Sequence, residues 1–197
     1  MSGLSRRAIL TLPLLLAACG GDDSSESANA FPPLRYDYLP PIQLNVASVE
    51  IQQQFIPSGL PPDVTAADPV QPIDALKKMA NDRLQALGTS NKAVFAILNA
   101  SLTREDDVIR GTLSVSLTIY DGNNAQQGYA IATVDRSHSG DIDNLGKALY
   151  AFTKALMNDM NVEFEYQVRR NLKNWLASSA APDTPVQQDP LDQPNPR

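Results

Sequence analysis

The residues best suited to chemistry lie close together. Arg136-Ser137-His138-Ser139-Gly140-Asp141 places a serine, the only histidine of the chain and an acid within six positions. A Ser-His-Asp hydrolase needs those three types converging in space beside an oxyanion hole, and no G-x-S-x-G elbow is present. Neighbours in one stretch fit the end of a strand and the cap of a helix better, so the expectation is that the chain is not an enzyme. The alternative is a hydrolase-type enzyme working through Ser137, His138 and Asp141. Gly140 to Lys147 imitates a phosphate loop, but five residues separate Gly140 from Gly146 where four are needed. Ala148 also stands where a magnesium-binding hydroxyl belongs. Asp141-Ile142-Asp143 opens like a calcium loop, yet Leu145 falls at the fifth ligand place and Phe152 at the twelfth. One cysteine and one histidine exclude sites that need two of either. No metal or cofactor is expected.

The single cysteine has a different chemistry. Arg6 and Arg7 precede Ala8–Ala18, eleven residues that are apolar apart from Thr11. As a helix this run would span roughly 16 Å, about half of the hydrocarbon layer, so it reads as a secretory signal peptide rather than a membrane span. It ends in Leu16-Ala17-Ala18-Cys19, followed by Gly20 and Gly21. This resembles the lipobox of bacterial lipoproteins. The resemblance implies cleavage before Cys19, a diacylglyceryl thioether on its sulfur and fatty acyl chains, of the palmitate kind, as a lipid anchor. Two or three chains hold stably where one is marginal, since each buried methylene contributes about 0.8 kcal/mol. Gly20, where the inner-membrane retention residue would be aspartate, implies the periplasmic face of the outer membrane. Ser5-Arg6-Arg7-Ala8-Ile9-Leu10 is also similar to a twin-arginine export motif.

The chain has 197 residues, 43% of them hydrophobic, which suits one domain with attached segments. Its formal charge of −6 excludes a nucleic-acid footprint, which needs a basic patch. Residues 1–18 are the predicted signal and 19–39 an acidic leash. Residues 40–177 form a single domain, and 178–197 a Pro-rich disordered tail.

Within the domain, Ile42, Leu44 and Val46 alternate, and Val49 and Ile51 alternate in the other phase, which predicts one strand bulged near Ala47-Ser48. Residues 57–72 hold five prolines. Two readings are open for them, a binding loop or a crossover packed on the surface. Ile73, Leu76, Ala80, Leu84 and Leu87 form one stripe, predicting a helix over Pro72 to Leu87 stopped by Gly88. Ala93–Leu102, Gly111–Ile119 and Gly128–Arg136 read as three strands joined by hairpin turns. Leu145 to Trp175 carries apolar residues every three or four places, capped by Asp141 or Asp143. Residues 160–168 also fit a strand, but no glycine or proline breaks Lys147–Ala181, so helix is preferred. Such a helix is long for this domain, so a kink near Asn158–Asn161 or a protruding end is expected. Tyr166, Val162 and Trp175 widen its apolar face, for the core or for a partner. The fold class is α+β: strand-helix-three-strand-helix, an antiparallel meander sheet with helices packed on one face.

The lipobox, the stretch Tyr36-Asp37-Tyr38-Leu39-Pro40-Pro41 and this order of elements resemble the auxiliary lipoproteins of bacterial ABC-type lipid transport. The resemblance implies a scaffold in the cell envelope that bridges an inner-membrane transporter and the outer membrane. The function expected is therefore a lipid-anchored envelope protein with a non-catalytic binding or scaffold role, accessory to transport of lipid or another envelope component. Its partners would be the membrane, through Cys19, and an envelope protein or lipid. The alternatives are the periplasmic hydrolase above and a carrier of an apolar ligand held among Phe95, Ile97, Phe152 and Phe164.

Overall fold

The computed structural model describes residues 31–140 and 142–177. Cys19, the signal segment, Asp141 and the tail from 178 lie outside the described residues.

Alternation of apolar and polar side chains builds the sheet, because successive residues of a strand point to opposite faces. β4 (Lys92–Glu105), β5 (Val108–Tyr120) and β6 (Gln126–Ser139) form an antiparallel meander. β2 (Ser48–Gln53) joins β4 in parallel, giving the order β2-β4-β5-β6. One face carries Phe95, Ile97, Ile109, Leu113, Leu117 and Ala130, all buried. The other carries Thr112, Ser114, Thr133 and Asp135, paired across the strands by hydroxyl hydrogen bonds. The α+β architecture with helices packed against the sheet is the one expected.

The first strand departs from expectation. The phase change at Ala47-Ser48 is not a bulge but a passage between two sheets. β1 (Ile42–Leu44) pairs in parallel with β3 (Leu84–Ala86), whereas β2 belongs to the large sheet. Between them Val46 is fully buried, and the Ala47 N–H is bonded to the carbonyls of Ser90 and Asn91. Burying Val46 while pairing both flanks forces the change of phase.

The first helix is correspondingly shorter. α1 (Pro72–Arg83) has Pro72 at its first turn, where a missing N–H costs nothing. It ends at Arg83 rather than Leu87, because the next three residues are taken by β1. Gly88 does not stop the helix. A Cβ there would stand 2.6 Å from the backbone carbon of Asn45, so the position needs glycine for close chain approach.

α2 (Leu145–Asn171) is one helix through the ambiguous stretch, about 40 Å long at 1.5 Å per residue. Its cap is Asn144, whose side chain accepts from the Lys147 N–H, and not Asp143. At the expected break, the Asn161 amide bonds the Met157 carbonyl within the helix. The far end is pinned, not protruding: Leu172 and Trp175 lie over Gly128, and Leu176 bridges Leu44. α2 lies across β5 and β6, and the Phe95 and Phe164 rings meet edge-on at 5.4 Å in the layer between sheet and helix.

Order begins before residue 40. Tyr36 is 2% exposed, Leu34 and Leu39 pack on the core, and the Tyr36 N–H donates to Asp82 of α1. Part of the predicted leash is thus wall of the domain.

Candidate functional site

The Ser137-His138 pair sits on a strand rather than in a loop, since β6 runs on to Ser139. The register then decides its chemistry. His138 lies opposite Ile109, which is fully buried on the helix side, and Ser137 lies opposite Arg110. Consecutive strand residues face opposite ways, so Ser137 points to the open face and His138 to the helix side. The two side chains thus leave the strand on opposite faces, although both residues border one cleft at the edge of the sheet. Below His138 is a cleft of about 280 Å³, bordered also by Arg136, Ser137, Ala148, Ala151, Phe152 and Ala155. The Arg136 guanidinium at this cleft is engaged by Asp159 at 2.7 Å.

The proline-rich connection proves to be structural at its second half. β2 covers the edge of β4 only as far as Ile97, where the register shifts. Residues 62–65 take over that edge: the Val64 N–H donates to the Leu102 carbonyl, the Arg104 N–H to the Pro62 carbonyl, and Thr65 Oγ1 accepts from the Leu102 N–H. Asp63 holds the turn. Burial opposes its ionisation, but hydrogen bonds from Thr65, Gly59 and Ser58 outweigh this and bring its pKa down to about 2. Further on, Asp68 is buried and accepts from the Thr153 hydroxyl of α2 and the Val70 N–H. Here burial wins, and the carboxyl is pushed up. Ile56 and Leu60 remain exposed on the first half of the connection.

Sequence reasoning missed Arg83. Its side chain is 1% exposed and joins three segments, donating to the Pro40 carbonyl, to Asn161 and to Glu165. Arg169 also holds Glu165, at 2.8 Å. Burial raises the Glu165 carboxyl, but the two guanidiniums outweigh it and keep the group below the usual carboxylate range. The signal was available only as an arginine ending an apolar stripe, which reads equally as a solvated helix end.

Of the residues proposed to widen the late helix, Trp175 packs on the core while Val162 (73% exposed) and Tyr166 face outward. Tyr129 and Ile131 are likewise exposed, on the open face of β6. Among the described residues no helix is long and apolar enough to cross a membrane, and no cluster of metal-ligating side chains occurs.

No protein-family model matches the sequence, and no curated protein matches it. Solved structures similar in part include three proteins of bacteria. A minor lipoprotein from Acinetobacter baumannii shares 14% identity at a TM-score of 0.36, over 65% of this chain and 96% of that one. A candidate lipoprotein from Caulobacter crescentus shares 16% identity at 0.32, over 45% and 68%. A DUF330 protein from Xanthomonas campestris shares 8% identity at 0.36, over 68% and 88%. These are distant likenesses, from which neither a family nor an activity follows.

Proposed function

We propose that this chain is a lipid-anchored envelope protein whose domain binds and does not catalyse, serving as an accessory scaffold in the transport of lipid or another envelope component. The observation that carries the reading is the sole cysteine at the end of a short apolar leader, in Leu16-Ala17-Ala18-Cys19. The separation of Ser137 from His138 across β6 supports the non-catalytic half. An enzyme needs convergent polar groups around a reacting atom, and this pair diverges. Phe95 and Phe164 pack on each other in the core, which favours a scaffold over a carrier holding its ligand there. The anchor is placed at the periplasmic face of the outer membrane on the strength of Gly20, and the partner is an envelope protein or lipid.

Deleting the gene and restoring it with wild-type chain or with Cys19→Ser tests the role. The reading expects slowed exchange of labelled phospholipid between the two membranes on deletion, rescue by the wild type and no rescue by Cys19→Ser. Rescue by the unanchored chain, or exchange that is normal without the protein, contradicts it.

A further inference from the structure

The first described residues are held against the second helix. Phe31 stacks obliquely on Tyr150 of α2 at 5.4 Å, and the Tyr150 hydroxyl donates to the Pro32 carbonyl at 3.0 Å. The chain therefore enters the domain at a fixed place on the flank of α2. Directly beside it is a cleft of about 260 Å³ between residues 33–38 and α2, lined by Arg35, Tyr36, Tyr38, Tyr150, Lys154 and Asn158 among others. We propose that this cleft docks on the phospholipid headgroups of the bilayer that holds the chain's own acyl chains. The inference rests on the acylation of Cys19 proposed above.

Two observations support that occupant. The first is reach. Twelve residue steps separate Cys19 from Phe31, and even fully extended they span only about 40 Å. That is comparable to the diameter of a domain this size, so the entry point lies no further than about one domain diameter from the bilayer. The second is chemistry. Headgroup layers receive amphipathic aromatics and cations. Tyr38 is 70% exposed at the cleft, and Lys154 takes part in none of the ion pairs among the described residues. Arg35 at the rim is paired with Asp37. Of the two cations at the cleft, Lys154 is thus the one left to meet a lipid phosphate as a point charge.

The test uses the full mature lipoprotein in vesicles of phosphatidylethanolamine and phosphatidylglycerol that contain a headgroup-nitroxide lipid. With Cys19 acylated, an introduced cysteine is the only free thiol, so a fluorophore is placed at Asn158→Cys in the cleft or at Thr133→Cys on the open sheet face. Expected is quenching several-fold stronger at 158 than at 133, reduced by high salt and by Tyr38→Ser with Lys154→Glu, two exposed positions whose replacement leaves the fold intact. Equal quenching at the two sites, or quenching at 158 that the double variant does not alter, overturns the docking while leaving the anchor standing. Protein that fails to float with the vesicles overturns the acylation reading, and the docking falls with it.

Discussion

His138 lies beside Ile109 on the helix side of β6, and Ser137 lies beside Arg110 on the open side. Adjacent in sequence, they are separated by the strand itself. Ser137→Ala and His138→Ala are each expected to change stability by no more than about 0.5 kcal/mol, as for exposed positions without special roles. Each is also expected to complement a deletion strain as well as the wild type. Loss of complementation by either variant at normal abundance would restore a chemical role to the pair.

Gly111 sits where α2 presses on the sheet. A Cβ there would come within 2.6 Å of a Leu156 methyl, 2.8 Å of the Phe152 ring and 2.9 Å of a Leu102 methyl. All three belong to the core, so none can swing into solvent. Gly111→Ala is expected to destabilise by about 1–3 kcal/mol, the usual cost of overpacking. Urea titration reads this, and adding Leu156→Val should return part of the loss by making room.

Arg83 holds the entry of the chain to both helices. Arg83→Ala removes its bonds to Pro40, Asn161 and Glu165 together and is expected to cost about 3 kcal/mol, typical of breaking a buried charged pair. Glu165→Gln keeps the carbonyl contacts of Arg83 and one acceptor but removes the counter-charge of a buried guanidinium, so it should cost less than Arg83→Ala, about 1–2 kcal/mol. The order of the two midpoints in urea is the result to check.

Asp63 and Asp68 should respond to acid in opposite senses. Asp63 titrates at about 2 in the folded chain, below its unfolded value near 3.8. Its stabilisation is therefore complete above pH 4 and is lost as pH falls toward 2. Asp63→Asn should weaken the fold at pH 7, with the difference shrinking toward pH 2. Asp68 is raised by burial, so its contribution is favourable in acid and lost as pH rises through the folded value. Asp68→Asn should stabilise at pH 7, and the gain should vanish in acid. Urea midpoints from pH 2 to 8 separate the two.

Periodicity made the meander and α2 readable, because Leu113, Val115 and Leu117 alternate and Leu149, Phe152, Leu156 and Met160 recur at helical spacing. It misled where one residue serves two neighbours. Leu84 continues the stripe of α1, yet its backbone pairs with Ile42, and that contact is long-range in sequence. Val46 changed the phase of the first strand because it turns inward between two sheets. The hydrogen bonding of residues 62–65 to β4 was invisible for the same reason, since nothing local in a proline-rich run names the strand it will meet. The opposite facing of Ser137 and His138 was hidden because β6 runs to Ser139, three residues past the end at Arg136 that its alternation suggests.

The most direct measurement is the mass of the N-terminal peptide of the protein recovered from bacterial envelopes. The reading predicts a peptide beginning at Cys19 and heavier by a diacylglyceryl group, with or without a further acyl chain on the amine. A peptide beginning at Met1 or Ser2, or a Cys19 thiol that reacts freely with iodoacetamide, would contradict it.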